Sequence, residues 1–410
     1  MSKQFARRGY VVAAMSYRLG WNPVSADQDV RTGSLLQAVY RALQDAKACV
    51  RYFHESAILN GNPYRVDTNN IIMGGQGSGG YVALAYPTVD NVAEINLPKF
   101  LSNTTNPAYG FFAGQSYVIQ QIWGDFDGYG GDTAVNYPLN HVGYNSDVDF
   151  VFNYGGALGD SSWLSAGDVP MVAFHVAGDP FAPIGNGPVY VPTQPPQFVV
   201  DVSGSATVIT QANAYGNNNC FINAGFTDPY TQRANAVNGG QDGLFPFYTN
   251  PFVQSGPWEW YDSTALVFFA QAIGQPAAAG TQAYLNGLAT NPDMSKAKAL
   301  AYIDTIQNYL NPRITYCLGL NVGVSDMDLL EKQVNVFPNP SAGDFTVDLR
   351  DVTAVPAYIR IFDLRGKLVK EIPVNERAAY SIRGMDLADG LYAVKVGFKG
   401  GEITKKLVIN

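Results

Sequence analysis

The sequence predicts two domains: an α/β domain with a mostly parallel sheet and helices on both faces, then a small all-β sandwich. The chain has 410 residues, which is longer than one average domain. In its first 320 residues or so, short apolar runs that end in Gly or Asp alternate with helical patterns. In the remainder, segments of period-two alternation are separated by turn residues, which is typical of a sandwich.

The composition limits the classes of partner. Charged residues make up 15% of the chain, and the formal net charge is −8. Nucleic acids and anionic membranes both require a basic face, so we expect neither as a partner. No apolar run approaches the roughly 20 residues of a membrane helix, so we expect no transmembrane segment.

The first predicted elements are a strand and a long helix. Lys3, Arg7 and Arg8 precede a short apolar run, as in a signal peptide, but "YVVAAMSY" fits a core strand equally well, and we favour the strand. Segment 32–57 carries apolar residues at three- and four-residue steps, which predicts a helix with one buried face.

The following segments continue the alternation. "VDTNNIIMGGQGSGGYVALAY" predicts a turn, a strand, a glycine-rich bend and a helix, and "VDFVFNYGG" and "VPMVAFHVAGD" predict two more buried strands. Segment 97–145 is rich in Gly, Asn and aromatic residues and is interpreted as an insertion. "SKAKALAYIDTIQNYL" predicts a late amphipathic helix whose Ala301, Ile303, Ile306 and Leu310 face inward.

The last segments carry a family resemblance. "VFPNPSAGDFTV", "IRIFDLRGKLV", "LADGLYAVKV" and "KKLVIN" occur in order and resemble the type A sorting domain of the type IX secretion system of Bacteroidota. The resemblance implies recognition by that machinery and a secreted or surface-attached protein. A plain carbohydrate-binding or adhesive sandwich is the alternative. We place the α/β domain at 1–320, a linker at 321–332 and the sorting domain at 333–410.

The first domain resembles an α/β-hydrolase of the carboxylesterase and lipase type. "RGYVVAAMSYRLG" resembles the strand after the oxyanion loop, and "NNIIMGGQGSGGYVAL" resembles the strand, nucleophile elbow and helix. "WLSAGDVPMVAFHVAGDPFAP" resembles the strand and loop that carry the acid of the triad, which implies that role for Asp179.

The elbow motif lacks its nucleophile. The family pattern, small-x-nucleophile-x-Gly, falls on Gly75 to Gly79 and places Gly77 at the nucleophile position. Ser78 comes one residue late. If Ser78 were the nucleophile, Gln76 would stand where the tight turn needs a small residue.

The base of the triad is also missing from its expected place. In this family the order along the chain is Ser, then Asp or Glu, then His. All three histidines precede Asp179; they are His54, His141 and His175. The segment "NGGQDGLFPF", where a base is expected, offers Gln241 and Asp242. We interpret His54 and His175 as structural, and His175 as a base for Ser78 would require a geometry foreign to the family.

The oxyanion loop would precede the strand near Gly9, and no such residues stand there. Because a type IX address requires a signal peptide, we hypothesise that Met1 is an internal start and that the first strands, the loop and the leader precede it. A stop codon in frame immediately upstream would contradict this.

Three further features are candidates for binding or stability. Asp125, Asp127 and Asp132 lie in "GDFDGYGGD", which could hold Ca²⁺, although a solvated acidic turn is favoured and no other cofactor is expected. The run "PWEWYD", 257–262, is either a stacking platform for a sugar or polymer or, as we favour, a seal at the domain edge. Cys220 and Cys317 could pair in an exported protein, and the sequence leaves this open.

These features leave three functions open. The first is an exported hydrolase-like protein that is catalytically impaired and binds a small-molecule, lipid or polymer ligand or a surface. The alternative is an active secreted carboxylesterase or lipase that uses Ser78 with Asp179. A purely structural surface protein is a third class. We expect no esterase activity from the sequence as it stands.

Overall fold

The computed structural model describes residues 1–134, 141–320, 330–331, 333–352, 354–384, 387–398 and 401–410. The chain divides into two compact units, Met1–Leu318 and Gly319–Asn410. Apart from residues 330 and 331, the predicted linker at 321–332 lies outside the described residues. In the described part of the chain no helix is long and apolar enough to cross a membrane.

The first unit contains eleven α-helices in its described residues. They are α1 Ser2–Ala6, α2 Gln28–Leu59, α3 Ser78–Ala85, α4 Val92–Ile95, α5 Gln120–Trp123, α6 Ser205–Ala214, α7 Asn219–Ile222, α8 Pro229–Asn235, α9 Ser263–Ala272, α10 Ala277–Thr290 and α11 Lys296–Cys317. Short 3₁₀ turns occur at Pro98–Phe100, Pro107–Tyr109 and Ser161–Trp163.

The strands of the first unit form two sheets in its described residues. The strands are β1 Ile72–Gln76, β2 Phe150–Tyr154, β3 Ala157–Leu158, β4 Met171–Val176, β5 Asn186–Val191, β6 Gln197–Gly204 and β7 Leu244–Phe247. The larger sheet has the order β1-β2-β4-β7, and every neighbouring pair is parallel. The smaller sheet, β3-β6-β5, is antiparallel. The predicted parallel sheet is confirmed.

Helices cover both faces of the parallel sheet. On one face, Val151 and Ala173 belong to a buried apolar cluster that includes Leu43 of α2, Leu84 of α3 and Ile209 of α6. The other face carries aromatic side chains: the Tyr309 ring of α11 lies 5.7 Å from that of Phe174 and 5.2 Å from that of Phe245, and Phe5 of α1 stacks on Phe152 at 5.3 Å. Since both faces of the sheet are covered, β4 and β7 are buried at every position rather than at alternate positions.

The long helix and the late helix confirm their predictions with one exception. α2 begins at Gln28 because the Asp27 side chain caps it, accepting a hydrogen bond from the Asp29 backbone N–H at 2.9 Å. Along α11, Ile303, Ile306 and Leu310 are buried as predicted, whereas Ala301 is exposed.

The strand predicted at residues 10–17 is wrong. The segment between α1 and α2 has no regular secondary structure, and Val11 and Val12 are exposed. Met15 and Tyr17 nevertheless pack against the large apolar cluster. A strand exists only where a neighbour completes its hydrogen bonds, and β1, the edge strand of the sheet, pairs with β2 alone among the described strands.

The disulfide left open by the sequence is formed. Cys220 of α7 and Cys317 at the end of α11 are bonded, with their Cα atoms 5.1 Å apart. This bond ties the helix on the aromatic face of the sheet to a segment 97 residues earlier in the chain.

The second unit is a β-sandwich in its described residues. Its strands are β8 Asn335–Phe337, β9 Phe345–Asp348, β10 Pro356–Asp363, β11 Leu368–Pro373, β12 Ala379–Ile382, β13 Gly390–Phe398 and β14 Gly401–Ile409. They form two antiparallel sheets, β11-β10-β13-β14 and β12-β9-β8. Residues from both sheets, among them Val347, Ile361 and Val394, form one buried apolar core.

Candidate functional site

A pocket of about 500 Å³ lies at the carboxyl ends of the parallel strands. Gly77 directly follows β1, Asp179 follows β4, and Glu259 belongs to the connection between β7 and α9; all three line this pocket. Loops that follow parallel strands meet at the same sheet edge, which is where such folds place ligand sites. Residues of α10, including Asn286 and Thr290, complete the wall.

The bend between β1 and α3 has an unusual backbone conformation at Gly77. Its φ is +53° and its ψ is −117°, a combination that L residues rarely adopt. The Gly77 N–H donates to the Tyr154 carbonyl oxygen at 2.9 Å, and the Gly77 carbonyl oxygen accepts from the N–H of Gly80 at 2.9 Å and of Tyr81 at 3.2 Å. These bonds hold the sharp turn from strand to helix.

Neighbouring glycines allow this bend to pack. A Cβ on Gly75 would lie 1.8 Å from the Gly79 carbonyl oxygen, and a Cβ on Gly80 would lie 2.3 Å from Asn153 Oδ1. A Cβ on Gly77 would meet no atom within 4 Å. The turn therefore requires glycine at Gly75 and Gly80 for space, and favours it at Gly77 for backbone conformation alone.

Ser78 is the first residue of α3 and is exposed. Its Oγ is hydrogen-bonded to the Tyr17 hydroxyl at 3.0 Å. Ser78 is not among the described residues that line the pocket.

Asp179 is the predicted acid and lies in the pocket wall. Its Oδ1 accepts hydrogen bonds from the backbone N–H of Phe181 at 2.8 Å and of Ala182 at 3.3 Å. Burial raises the pKa of Asp179 to about 6; the two backbone hydrogen bonds oppose this rise, and the nearby Glu259 adds to it.

The histidines do not complete a triad. His175 is buried, with Nδ1 2.7 Å from Ser205 Oγ and Nε2 3.0 Å from the Ala182 carbonyl oxygen. The carbonyl must accept, so Nε2 carries the proton and Nδ1 accepts from the serine. Burial lowers the pKa of His175 to about 4. His54 and His141 are also outside the described pocket wall, and His141 pairs with Glu55.

The segment "NGGQDGLFPF", where the sequence predicts a base, has a structural role. Asp242 forms a 2.6 Å ion pair with the buried Arg313 guanidinium, which also lies 3.5 Å above the Tyr309 ring. Asp242 Oδ1 additionally accepts from the Tyr309 hydroxyl at 3.0 Å. Asp242 therefore anchors α11 to the segment before β7.

Sequence reasoning missed Glu259. Its Oε1 accepts a hydrogen bond from Gln76 Nε2, and Tyr261 also hydrogen-bonds to it. Burial raises the pKa of Glu259, while the bonds from Tyr261 and Gln76 oppose the rise. The available signal was a carboxylate between Trp258 and Trp260, inside the aromatic run at 257–262.

The candidate calcium loop is held together by its own hydrogen bonds and by one ion pair. Asp125 Oδ1 accepts from the N–H of Asp127 at 3.0 Å and of Tyr129 at 2.8 Å. Asp127 pairs with Lys47 Nζ at 3.1 Å, and Asp132 Oδ1 accepts from the Ala134 N–H at 2.9 Å. Among the described residues, no group of three or more His, Cys, Asp or Glu side chains is arranged to hold a metal ion.

Two solved structures are similar to this chain over a small part of its length. A DUF3244 family protein with an immunoglobulin-like β-sandwich fold from Bacteroides vulgatus is 18% identical, with 19% of this chain and 84% of that chain covered and a TM-score of 0.17. The CBM51-2 and INT domains of Clostridium perfringens ZmpB are 28% identical, with 18% of this chain and 17% of that chain covered and a TM-score of 0.15. No curated protein matches the chain.

One family model matches the end of the chain. Residues 335–410 match the secretion system C-terminal sorting domain, and they coincide with the antiparallel strands β8 to β14 of the second unit. The resemblance predicted for this part of the sequence is confirmed. The second unit is therefore a sorting domain of the type IX secretion system, and the protein is exported through that system to the cell surface or beyond.

Proposed function

We propose that the first unit has an α/β-hydrolase fold of the carboxylesterase and lipase type, lacks acyl-transfer chemistry, and binds a ligand in the pocket beside Gly77. The observation that carries this proposal is the bend at Gly77. A strained strand-to-helix turn after a parallel strand is the geometry that presents a nucleophile in this family. Here it opens toward a cavity of about 500 Å³ and carries no side chain.

The strand order supports the fold assignment. Gly77, Asp179 and the loop containing Glu259 follow the strands β1, β4 and β7 of one parallel sheet. In the resembled family the nucleophile, the acid and the base follow strands in that same chain order. The third loop, after β7, would carry the base in that family, and here it brings the carboxyl group of Glu259 into the pocket wall.

The chemistry of ester attack requires an oxygen nucleophile, a base and oxyanion donors together. Gly77 supplies no oxygen, and the one imidazole near the sheet edge, His175, bonds to Ser205 and Ala182. Losing the nucleophile or the base costs on the order of a million-fold in turnover where a complete triad has been dissected.

The alternative is an esterase that uses Ser78. The observation in its favour is the 3.0 Å contact between Ser78 Oγ and the Tyr17 hydroxyl, since a tyrosine could take the proton of the serine. In that case Asp179 would be the acid that acts with Ser78. The exposed position of Ser78 outside the pocket wall speaks against it.

The test is hydrolysis of p-nitrophenyl butyrate by the full 410-residue chain, together with labelling by a fluorophosphonate probe. We expect no turnover above the buffer rate and no labelled protein. The Ser78→Ala variant should behave in the same way. Turnover or labelling that disappears in Ser78→Ala would establish Ser78 as a nucleophile and refute the proposal.

A further inference from the structure

The pocket wall combines carboxyl groups with aromatic rings. Asp179 and Glu259 contribute the carboxyls, and Tyr154, Trp258 and Tyr261 contribute the rings. In the described part of the chain no Lys, Arg or His lines the pocket. An anionic ligand would therefore meet two acids without a compensating cation, so the wall excludes phosphates and carboxylates as ligands.

Two hydrogen-bonding groups of this wall are buried without partners. Tyr154 is 3% exposed and Trp258 is 4% exposed. Within the described residues, neither the Tyr154 hydroxyl nor Trp258 Nε1 has a hydrogen-bond partner. A buried polar group without a partner costs about 1–3 kcal/mol, and a ligand that supplies an acceptor would remove that cost.

The carboxyls offer acceptors to the same space. Both backbone hydrogen bonds of Asp179 go to Oδ1, and in the described chain Oδ2 receives none. Oδ2 lies 3.2 Å from the position that a Cβ on Gly155 would occupy, and the Trp258 ring lies 3.8 Å from that same point. The free carboxyl oxygen, the indole ring and the bare backbone of Gly155 thus surround one spot in the wall.

We propose that this pocket binds an uncharged, polyhydroxylated ligand, namely a sugar unit; this rests on the proposed function as a binding protein. A sugar hydroxyl both donates and accepts. It can donate to Asp179 and Glu259 and accept from Trp258 Nε1 and the Tyr154 hydroxyl. The apolar face of a sugar ring packs on aromatic rings. An organic cation would satisfy the carboxyls but leave the indole N–H unpaired.

The test is titration calorimetry of the full chain with neutral mono- to tetrasaccharides, benzyltrimethylammonium and glucuronate. We expect saturable binding of at least one neutral saccharide and none of glucuronate. Trp258→Phe keeps an aromatic ring but removes the N–H donor, and should weaken that binding about tenfold. Trp260→Phe is the matched control, since Trp260 is outside the described pocket wall, and should leave binding unchanged.

A second variant guards against a folding defect. Tyr154→Phe removes only the unpartnered hydroxyl, so the ligand-free protein should be at least as stable as the parent while saccharide affinity falls. If no neutral saccharide bound, or if benzyltrimethylammonium bound more tightly than every saccharide, the sugar proposal would be overturned. Neither result would affect the proposed absence of esterase activity. Ester hydrolysis would instead overturn the proposed function.

Discussion

Gly75 and Gly79 approach so closely that a Cβ on Gly75 would lie 1.8 Å from the Gly79 carbonyl oxygen. The contact joins the end of β1 to the first turn of α3, on either side of the bend at Gly77. The sharp turn therefore has no room for a side chain at Gly75. Gly77, where the hydrolase family carries its nucleophile, has room for one.

Gly75→Ala should therefore destabilise the first unit strongly. The added methyl group meets backbone atoms, which cannot rotate away, so we expect a loss of about 3 kcal/mol or more in the free energy of unfolding. Urea denaturation followed by tryptophan fluorescence measures it. Gly79→Ala is the control, because its Cβ meets no atom within 4 Å and it lies in a helix. Equal stability of the two variants would contradict the contact.

Gly77→Ser should fold at a moderate cost. Its side chain has open space, but the positive φ of +53° strains an L residue by about 1–3 kcal/mol. The new hydroxyl would stand at the elbow without a base, so hydrolysis of p-nitrophenyl butyrate should stay at background. Clear turnover by Gly77→Ser would show that a base is present and that only the nucleophile is missing.

Asp179 should make stability depend on pH. Its pKa rises from 3.8 to about 6 on folding, so its contribution is full below pH 4 and is lost as the pH rises through 6. Asp179→Asn removes this dependence. We expect the free energy of unfolding of the variant to exceed that of the parent by about 2 kcal/mol at pH 8 and to equal it at pH 4.

Thermal melts at the two pH values measure this difference. Asp201→Asn, at an exposed position on β6, is the matched control and should shift neither melt. A variant less stable than the parent at pH 8 would show that the Asp179 carboxylate forms a favourable interaction instead of being destabilised by burial.

Asp29 should be a strong contributor to stability. Its carboxylate is 4% exposed and accepts from the Tyr117 hydroxyl at 2.7 Å, Thr104 Oγ1 at 2.8 Å and the Asn103 N–H at 2.9 Å, among other donors. Burial alone would raise the pKa of Asp29, but the side-chain donors outweigh it and lower the pKa to about 2.

Asp29→Asn places an amide N–H₂ among these donors and should cost about 2–4 kcal/mol in urea denaturation at pH 7. Asp201→Asn again serves as the exposed control. Because the folded pKa is depressed, the Asp29 contribution is present above pH 4 and is lost as the pH falls toward 2. If Asp29→Asn lowered the free energy of unfolding by the same amount at pH 7 and at pH 2, the negative charge of Asp29 would have no role in stability.

Removal of residues 335–410 should abolish export. With a suitable signal peptide and a host that has type IX secretion, the full chain should reach the surface or medium, and the truncated chain should accumulate in the periplasm. Fractionation with immunoblotting measures the distribution. Ser78→Ala in the full chain is the control and should be exported normally. Export of the truncated chain would show that these residues are not the address.

The sequence by itself determined the elements whose signals are local. Periodicity and turn residues predicted α2 and the strands β1, β2 and β4, and the order of four motifs predicted the sorting domain. These signals lie in residues that are close together in the sequence. The absence of a side chain at Gly77 was likewise evident, because the glycines around it define the pattern.

Tertiary structure alone decided the rest. Residues 10–17 have the composition of a strand, but strand formation depends on a hydrogen-bonded neighbour, which sequence does not report. Glu259 enters the pocket because the loop after β7 returns to the carboxyl edge of the sheet. Asp242 precedes β7, at the opposite end of that strand, and pairs there with Arg313, 71 residues later. Contacts between distant residues set burial and pairing, and these in turn decide which carboxyls face the ligand.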